Sequence, residues 1–210
     1  MPREFRIRIL EKKDCREAAR LRLGAQDWGF LPAMGLSFQI EILKGTCESK
    51  WGFGIVCVEE KDKIVGMVYA ATNLSNYYKS IFLCRGVMLA FWAFLRILRH
   101  PKLVNGLVQY LIYPSTVPFK QIEAEWLTMV VDAKHRNIGI ANKLMSALIE
   151  EFKKRGIRKF KSTVATKNII TCYLHDKFGF KLLGTFPFCD DLVNIYEYKI
   201  NTFSQSNSVR

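Results

Sequence analysis

Val130-Val131-Asp132-Ala133-Lys134-His135-Arg136-Asn137-Ile138-Gly139-Ile140-Ala141 is the stretch on which the reading of this chain turns. Ahead of it, residues 125–131 are apolar almost throughout, which predicts a central strand covered on both faces. Behind it, Ile140, Leu144, Leu148 and Phe152 recur at helical spacing and predict a helix over about residues 138–155. Lys153, Lys154 and Arg155 suit the negative end of that helix's dipole, and Gly156 stands where a left-handed cap is wanted. So a strand ends, a short polar loop turns and a helix begins. The free N–H groups of such a helix start, together with the dipole, favour an anion. Gly139 lets the backbone approach a phosphate, Ala141 keeps the first turn uncrowded and Arg136 adds positive charge. The segment has the makings of a pyrophosphate cradle; the bland alternative is an ordinary strand–helix junction.

Toward the C-terminus, residues 158–165 predict another strand and residues 168–178 a short helix closed by Gly179. Residues 181–186 and 192–200 finish as strands. Toward the N-terminus, residues 4–10 alternate as a strand does, and Asp14 followed by Glu17 resembles a capping box opening a helix to Ala25. Gly29, Pro32 and Gly35 break the chain before Phe38, Ile42 and Leu43 give a second short helical face. Residues 55–60 and 64–69 are β-rich, with Lys61-Asp62-Lys63 suited to a hairpin turn. Residues 77–113 predict two helices broken at His100-Pro101, and 114–120 a loop. The order is that of an α/β fold, a mixed sheet with helices on both faces. The length of 210 residues suits one domain over 1–200, with a helical insert at about 77–120 and a flexible tail at 201–210.

Asn168-Ile169-Ile170-Thr171-Cys172-Tyr173-Leu174-His175-Asp176-Lys177-Phe178-Gly179-Phe180 adds a second motif. Together the two stretches resemble the GCN5-related N-acetyltransferase (GNAT) superfamily. Its cofactor signature, Arg/Gln-x-x-Gly-x-Gly/Ala, is met by Arg136, Gly139 and Ala141. Its later helix, opening with Asn and ending in Gly-Phe, is met by Asn168 and Gly179-Phe180. The likeness is close over the C-terminal half and extends to the N-terminal half in element order only. It implies a mostly antiparallel central sheet, splayed between residues 125–131 and 158–165, with the pantetheine arm of acetyl-CoA in the gap. Backbone groups near Met129, Val130 and Val131 would pair with that arm as an added strand does. The N–H groups of Arg136, Asn137, Ile138, Gly139, Ile140 and Ala141 would hold the pyrophosphate. Asn168 would face the arm, cap its helix, or do both.

The resemblance also implies direct attack of an amine on the thioester. The family often places a tyrosine four residues before the Gly of Gly-Phe as the acid; here that position holds His175. His175 protonates the departing thiolate itself, or is a structural helix-end histidine with water as the proton source. Tyr173 points roughly 200° away around the helix and is a poor substitute. For the base, Glu125 is favoured and Glu123 is the alternate; either also reads as a solvated strand-end carboxylate.

The formal net charge of +13 suits an anionic partner or merely a soluble, Lys/Arg-rich surface. No cysteine or histidine spacing suggests a metal site, and six cysteines without CxxC pairs, behind the polar start Met1-Pro2-Arg3-Glu4, predict reduced thiols in the cytoplasm. Residues 81–98 approach the length of a membrane span, but Arg85 and Arg96 interrupt them, which favours a buried or interfacial helix. The aromatic and basic insert is read either as a lid or as a surface for substrate, partner or membrane. No nucleic-acid motif is present, so nucleic acid is not expected as a partner. The favoured function is acetylation of a primary amine on a small molecule, such as an amino sugar. The alternatives are a catalytically weak acyl-CoA-binding module and a protein N-terminal or lysine acetyltransferase. Pairing of two copies through the C-terminal strands is common in the family.

Overall fold

Residues 4–25, 29–189 and 191–200 are described by the structure, a computed structural model; the expected tail at 201–210 lies outside them. The strands are β1 (Arg6–Ile9), β2 (Gly52–Val58), β3 (Ile64–Ala71), β4 (Glu125–Val131), β5 (Lys159–Ala165), β6 (Lys181–Phe188) and β7 (Asp191–Lys199). The helices are α1 (Cys15–Ala25), α2 (Phe30–Ala33), α3 (Leu36–Glu48), α4 (Leu74–Arg99), α5 (Leu103–Thr116), α6 (Ile140–Lys154) and α7 (Ile169–Lys177). The strands form one sheet in the order β1-β2-β3-β4-β5-β7-β6. Every neighbouring pair is antiparallel except β4–β5, which is parallel. This is the mixed, mostly antiparallel sheet expected from the sequence.

The strand sequences explain why both faces are covered. β2 and β3 are buried at every position, so their alternating side chains feed two cores. On one face, Phe53, Ile55 and Val68 meet Ile140, Leu144, Leu148 and Phe152 of α6. That helix lies so close to β3 that a Cβ at Gly66 would fall 2.9 Å from Ile140 Cγ2. On the other face, Val56, Met67 and Tyr69 pack under α1 and α3. The hairpin of α4 and α5 extends this layer: Tyr77, Ile81, Leu89 and Tyr113 share a core with Phe38 and Ile42 of α3 and with Ile195 of β7.

Two local readings are corrected. The capping box lies one turn earlier than expected: Glu11 and Asp14 cap each other around a 3-10 turn, and Arg8 pairs with Asp14 at 2.9 Å. Glu17 instead accepts a hydrogen bond from the Ile64 N–H. The 114–120 loop begins late, because α5 continues through Pro114 to Thr116. The proline sits in the last turn, so only two helical residues follow the backbone bond it removes, and the buried Tyr113 side chain holds that turn down.

Candidate functional site

The site begins where the sheet comes apart. β4 and β5 pair at Glu125↔Lys161 and Trp126↔Ser162 and no further. On its other side β4 stays bonded to β3, but the register slips between Ala70↔Trp126 and Tyr69↔Thr128, which leaves Leu127 as an extra residue. A bulge bends its strand and increases local twist. It falls one residue past the last β4–β5 pair, so the bend and the parting of the strands coincide. The resulting cleft, about 240 Å³, runs between Trp126–Met129 on one wall and 162–165 on the other, and α7 adds Asn168 and Thr171. Tyr110 and Tyr113 of α5 and Phe30 and Leu31 of α2 line the opposite end.

At the C-terminal end of β4 the chain makes a 3-10 turn, Ala133–His135, before α6. Buried His135 ties this turn down, donating from Nδ1 to Asp132 Oδ2 at 2.6 Å, with Nε2 3.3 Å from Glu59. The His135 bond holds the Asp132 carboxyl below its usual range. Asn137 (φ 62°) and Gly139 (φ 88°) both take left-handed backbone just ahead of α6, the kind of conformation in which successive N–H groups can form an anion-binding concavity. A Cβ placed on Gly139 would meet nothing within 4 Å, so the cradle is open on that side. The Arg136 guanidinium is exposed and donates to the Ala25 carbonyl at 3.3 Å, which brings the end of α1 to the cradle. Ile138 is exposed, whereas the Ile140 side chain is core. Ala141 follows it in the first turn of α6. The positions from 136 to 141 therefore come together as backbone.

Along β4, Met129 lines the cleft. Val130 is buried in the core beneath α1, and Val131 packs toward α6, so both offer only main chain to the gap. Asn168 does two things: its side chain caps α7 by accepting from the Thr171 N–H at 3.2 Å, and it lines the cleft.

The predicted acid and base fare differently. Glu125 lies at the point where the strands part, 2 % exposed. Tyr113 donates its hydroxyl proton to Glu125 Oε1 at 2.5 Å and in turn accepts from Thr163 at 2.7 Å. Among the described residues Glu125 Oε2 has no hydrogen-bond partner, and it sits 4.0 Å from Nζ of buried Lys161. Burial pushes the Glu125 carboxyl above its ordinary range, with Lys161 and then Tyr113 opposing the shift. The same burial lowers the Lys161 ammonium, with Glu125 opposing it. Glu123, the alternate base, is exposed, bonded to Asn73 at 2.8 Å, and does not line the cleft.

His175 is fully buried and stacked between Trp126 (4.7 Å, 16°) and Tyr196 (4.4 Å, 28°). Its Nδ1–H donates to the Thr171 carbonyl at 2.6 Å, so neutral imidazole has no proton on Nε2, which is buried and unpartnered. Burial lowers its pKa to about 4. His175 does not line the cleft, and its burial between two rings fits the structural reading of this position better than the proton-donor one.

Tyr113, Thr163, Lys161 and Arg22 were not anticipated. Arg22 of α1 is buried and lines the cleft, donating to Gln39 at 2.8 Å and to the Tyr69 hydroxyl at 2.7 Å, with no carboxylate partner among the described residues. The Asp132-x-x-His135 spacing was a readable signal for the turn, since i and i+3 side chains meet in a helical turn.

A mixed sheet parted between two parallel strands, with a helix starting at a left-handed glycine at the open end, has the architecture of the acetyltransferase class of fold. Residues 27–180 match the Acetyltransferase (GNAT) family, and the chain belongs to that family. Solved structures share the fold at low identity. The ribosomal-protein-S18-alanine N-acetyltransferase of Escherichia coli superposes with a TM-score of 0.60 at 14 % identity, covering 98 % of this chain and 100 % of its own. A GNAT-family acetyltransferase of Staphylococcus aureus Mu50 gives 0.61 at 15 %, over 94 % and 100 %. The Salmonella typhimurium protein yncA, solved with its cofactor acetyl-CoA, gives 0.61 at 13 %, over 98 % and 99 %. No curated protein matches the chain.

Proposed function

We propose that this chain moves an acetyl group from acetyl-CoA to a primary amine on a small molecule, with Glu125 as the base. The observation that carries the reading is that β4 and the turn that follows it set three things in order along the chain. These are a strand edge free to accept an arm, a helix start suited to phosphate, and a buried carboxylate where the strands part. Bound acetyl-CoA supplies an activated acyl group and a thiolate leaving group.

The protein's own part follows from the site. The main chain of residues 127–131 aligns the arm, as an added strand is aligned. The N–H groups from Arg136 to Ala141 and the α6 dipole hold the pyrophosphate. Glu125 takes the amine's proton, directly or by relay: the Tyr113 oxygen accepts while its own proton passes to Oε1. A carboxyl raised by burial is a stronger base than an ordinary one, and nearby Lys161 favours its ionised form. Arg22 favours an acceptor that carries an anion besides its amine, as an amino acid or a phosphorylated amino sugar does. With His175 sealed away, the thiolate takes its proton from water.

That last point also favours a second reading, a module that binds acyl-CoA with little turnover. Titration calorimetry with acetyl-CoA and CoA, followed by thiol release in the presence of amino acids and amino sugars, separates the two. Micromolar binding with amine-dependent thiol release supports the enzyme. Binding without release for any amine supports the module, and no binding at millimolar ligand removes both.

A further inference from the structure

α4 carries a stripe of large apolar side chains that the protein does not cover. Leu83, Val87, Phe94 and Leu98 stand at i, i+4, i+11 and i+15 on one side of the helix and are 59–87 % exposed. Val108 and Ile112 on α5 are exposed in the same manner. The most apolar part of α4 has a mean hydropathy of 1.9, yet only 17 % of it is buried, the reverse of a core helix. Isolated apolar residues on a surface are ordinary, but a contiguous set of this kind marks a contact.

Charge indicates the partner. From Lys63 to Ile122 the chain has no aspartate or glutamate. Lys79, Arg99, Lys102 and Lys120 are exposed cations on or beside the hairpin. Apolar and aromatic side chains flanked by lysine and arginine, with no acidic residue among them, match a bilayer surface rich in anionic headgroups. α4 is long enough to cross a bilayer, but its other side is committed to the domain. Ile81, Leu89 and Ala93 are buried there. Arg85 pairs with Glu41 and Glu48, and Arg96 donates to the Ala33 carbonyl at 2.8 Å. A helix used on one side and bare on the other lies along an interface.

We infer that the α4–α5 hairpin docks this protein onto the surface of an anionic phospholipid bilayer, with its apolar stripe in the headgroup region and its cations on phosphates. Because α5 also supplies Tyr110 and Tyr113 to the cleft, docking holds their side of the cleft near the membrane. The inference stands independently of the transfer reaction proposed above.

The test is flotation of the full chain with vesicles of phosphatidylcholine alone and of phosphatidylcholine mixed equally with phosphatidylglycerol. The wild type is expected to float with the mixed vesicles, to float poorly with the neutral ones, and to be released as salt rises from about 0.1 M toward about 1 M. Val87→Glu with Phe94→Glu should lower the bound fraction about tenfold, with the circular-dichroism melt unchanged because neither side chain is covered. Arg99→Ser with Lys102→Ser should weaken binding to mixed vesicles and leave the weak neutral binding as it was. No flotation with mixed vesicles overturns the inference, as does equal flotation of the Val87→Glu/Phe94→Glu protein. A wild-type dimer that this double variant dissolves, with no vesicle affinity, overturns it too, since the stripe then joins two copies of the chain.

Discussion

Glu125 concentrates the chemistry proposed for this protein in one side chain. Its Oε1 is held by Tyr113 and its Oε2 faces Lys161, so replacing it with the isosteric amide keeps the packing and removes the charge. Glu125→Gln should reduce kcat/KM by about 10²–10⁴-fold while leaving the Kd for acetyl-CoA unchanged, as turnover and calorimetry together would register. Tyr113→Phe has a different signature. The tyrosine's hydrogen bond favours the ionised carboxylate, so losing it raises the Glu125 pKa further. A base must be deprotonated to act, so the acidic limb of the kcat/KM profile should move to higher pH in the Tyr113→Phe protein. Gly139→Val tests the cradle: a β-branched residue is strained at φ 88° and its methyls would occupy the open side. Its acetyl-CoA affinity should fall at least about tenfold. At this scale the sequence was informative where chemistry is local. Glu125, Gly139 and Asn168 announce themselves by their place relative to a strand end or a helix start. Tyr113, Thr163 and Lys161 reach Glu125 from other elements, and nothing in linear spacing joins them. For His175 the sequence left two roles open, because a motif position names a residue without saying which way its ring turns.

At the scale of elements, α7 illustrates how a residue lost to chemistry is kept for packing. His175 fills the space between Trp126 of β4 and Tyr196 of β7, and so fastens the helix to both halves of the sheet. Its folded pKa of about 4 lies below the ordinary histidine value of 6.5. Between those values the unfolded chain binds a proton that the folded chain refuses, so stability is complete above pH 6.5 and is lost as the pH falls toward 4. The shift corresponds to about 3 kcal/mol over that window. Urea unfolding of the wild type and of His175→Phe should show this: the variant loses that part of the slope, whatever its stability at neutral pH. Element order was legible because hydrophobic period and glycine placement are local signals. The first turn of α1 and the end of α5 were not, since Asp14 is claimed by Arg8 from β1 and the Pro114 turn is held by tertiary packing.

Across the whole molecule, the hairpin of α4 and α5 belongs to the same body as the sheet. Tyr77, Leu89 and Tyr113 share their core with Ala71 of β3 and Ile195 of β7. Thermal unfolding followed by far-UV and near-UV signals should therefore give coincident transitions. Two separated transitions would show that the hairpin folds apart from the sheet. Phe152→Ala, at the centre of the opposite core, should cost about 3–5 kcal/mol and shift that transition as a unit. The helical layers could be assigned from sequence, but the uncovered side of α4 could not, because an apolar run looks the same whether protein or lipid covers it.

The parting of β4 from β5 gives the sheet something most sheets have only at their rims, a pair of raw edges, here in its interior. Rim edges invite other chains and are usually blunted by charge or proline. These need neither, since the cleft closes to two paired residues at one end and is walled by α7 and the tyrosines of α5. The amides of residues 127 to 131 on the side away from β3 have no ladder partner on β5 and are therefore a reporter. When a strand-like arm settles there, deuterium uptake at those positions should slow while the surrounding backbone stays where it was.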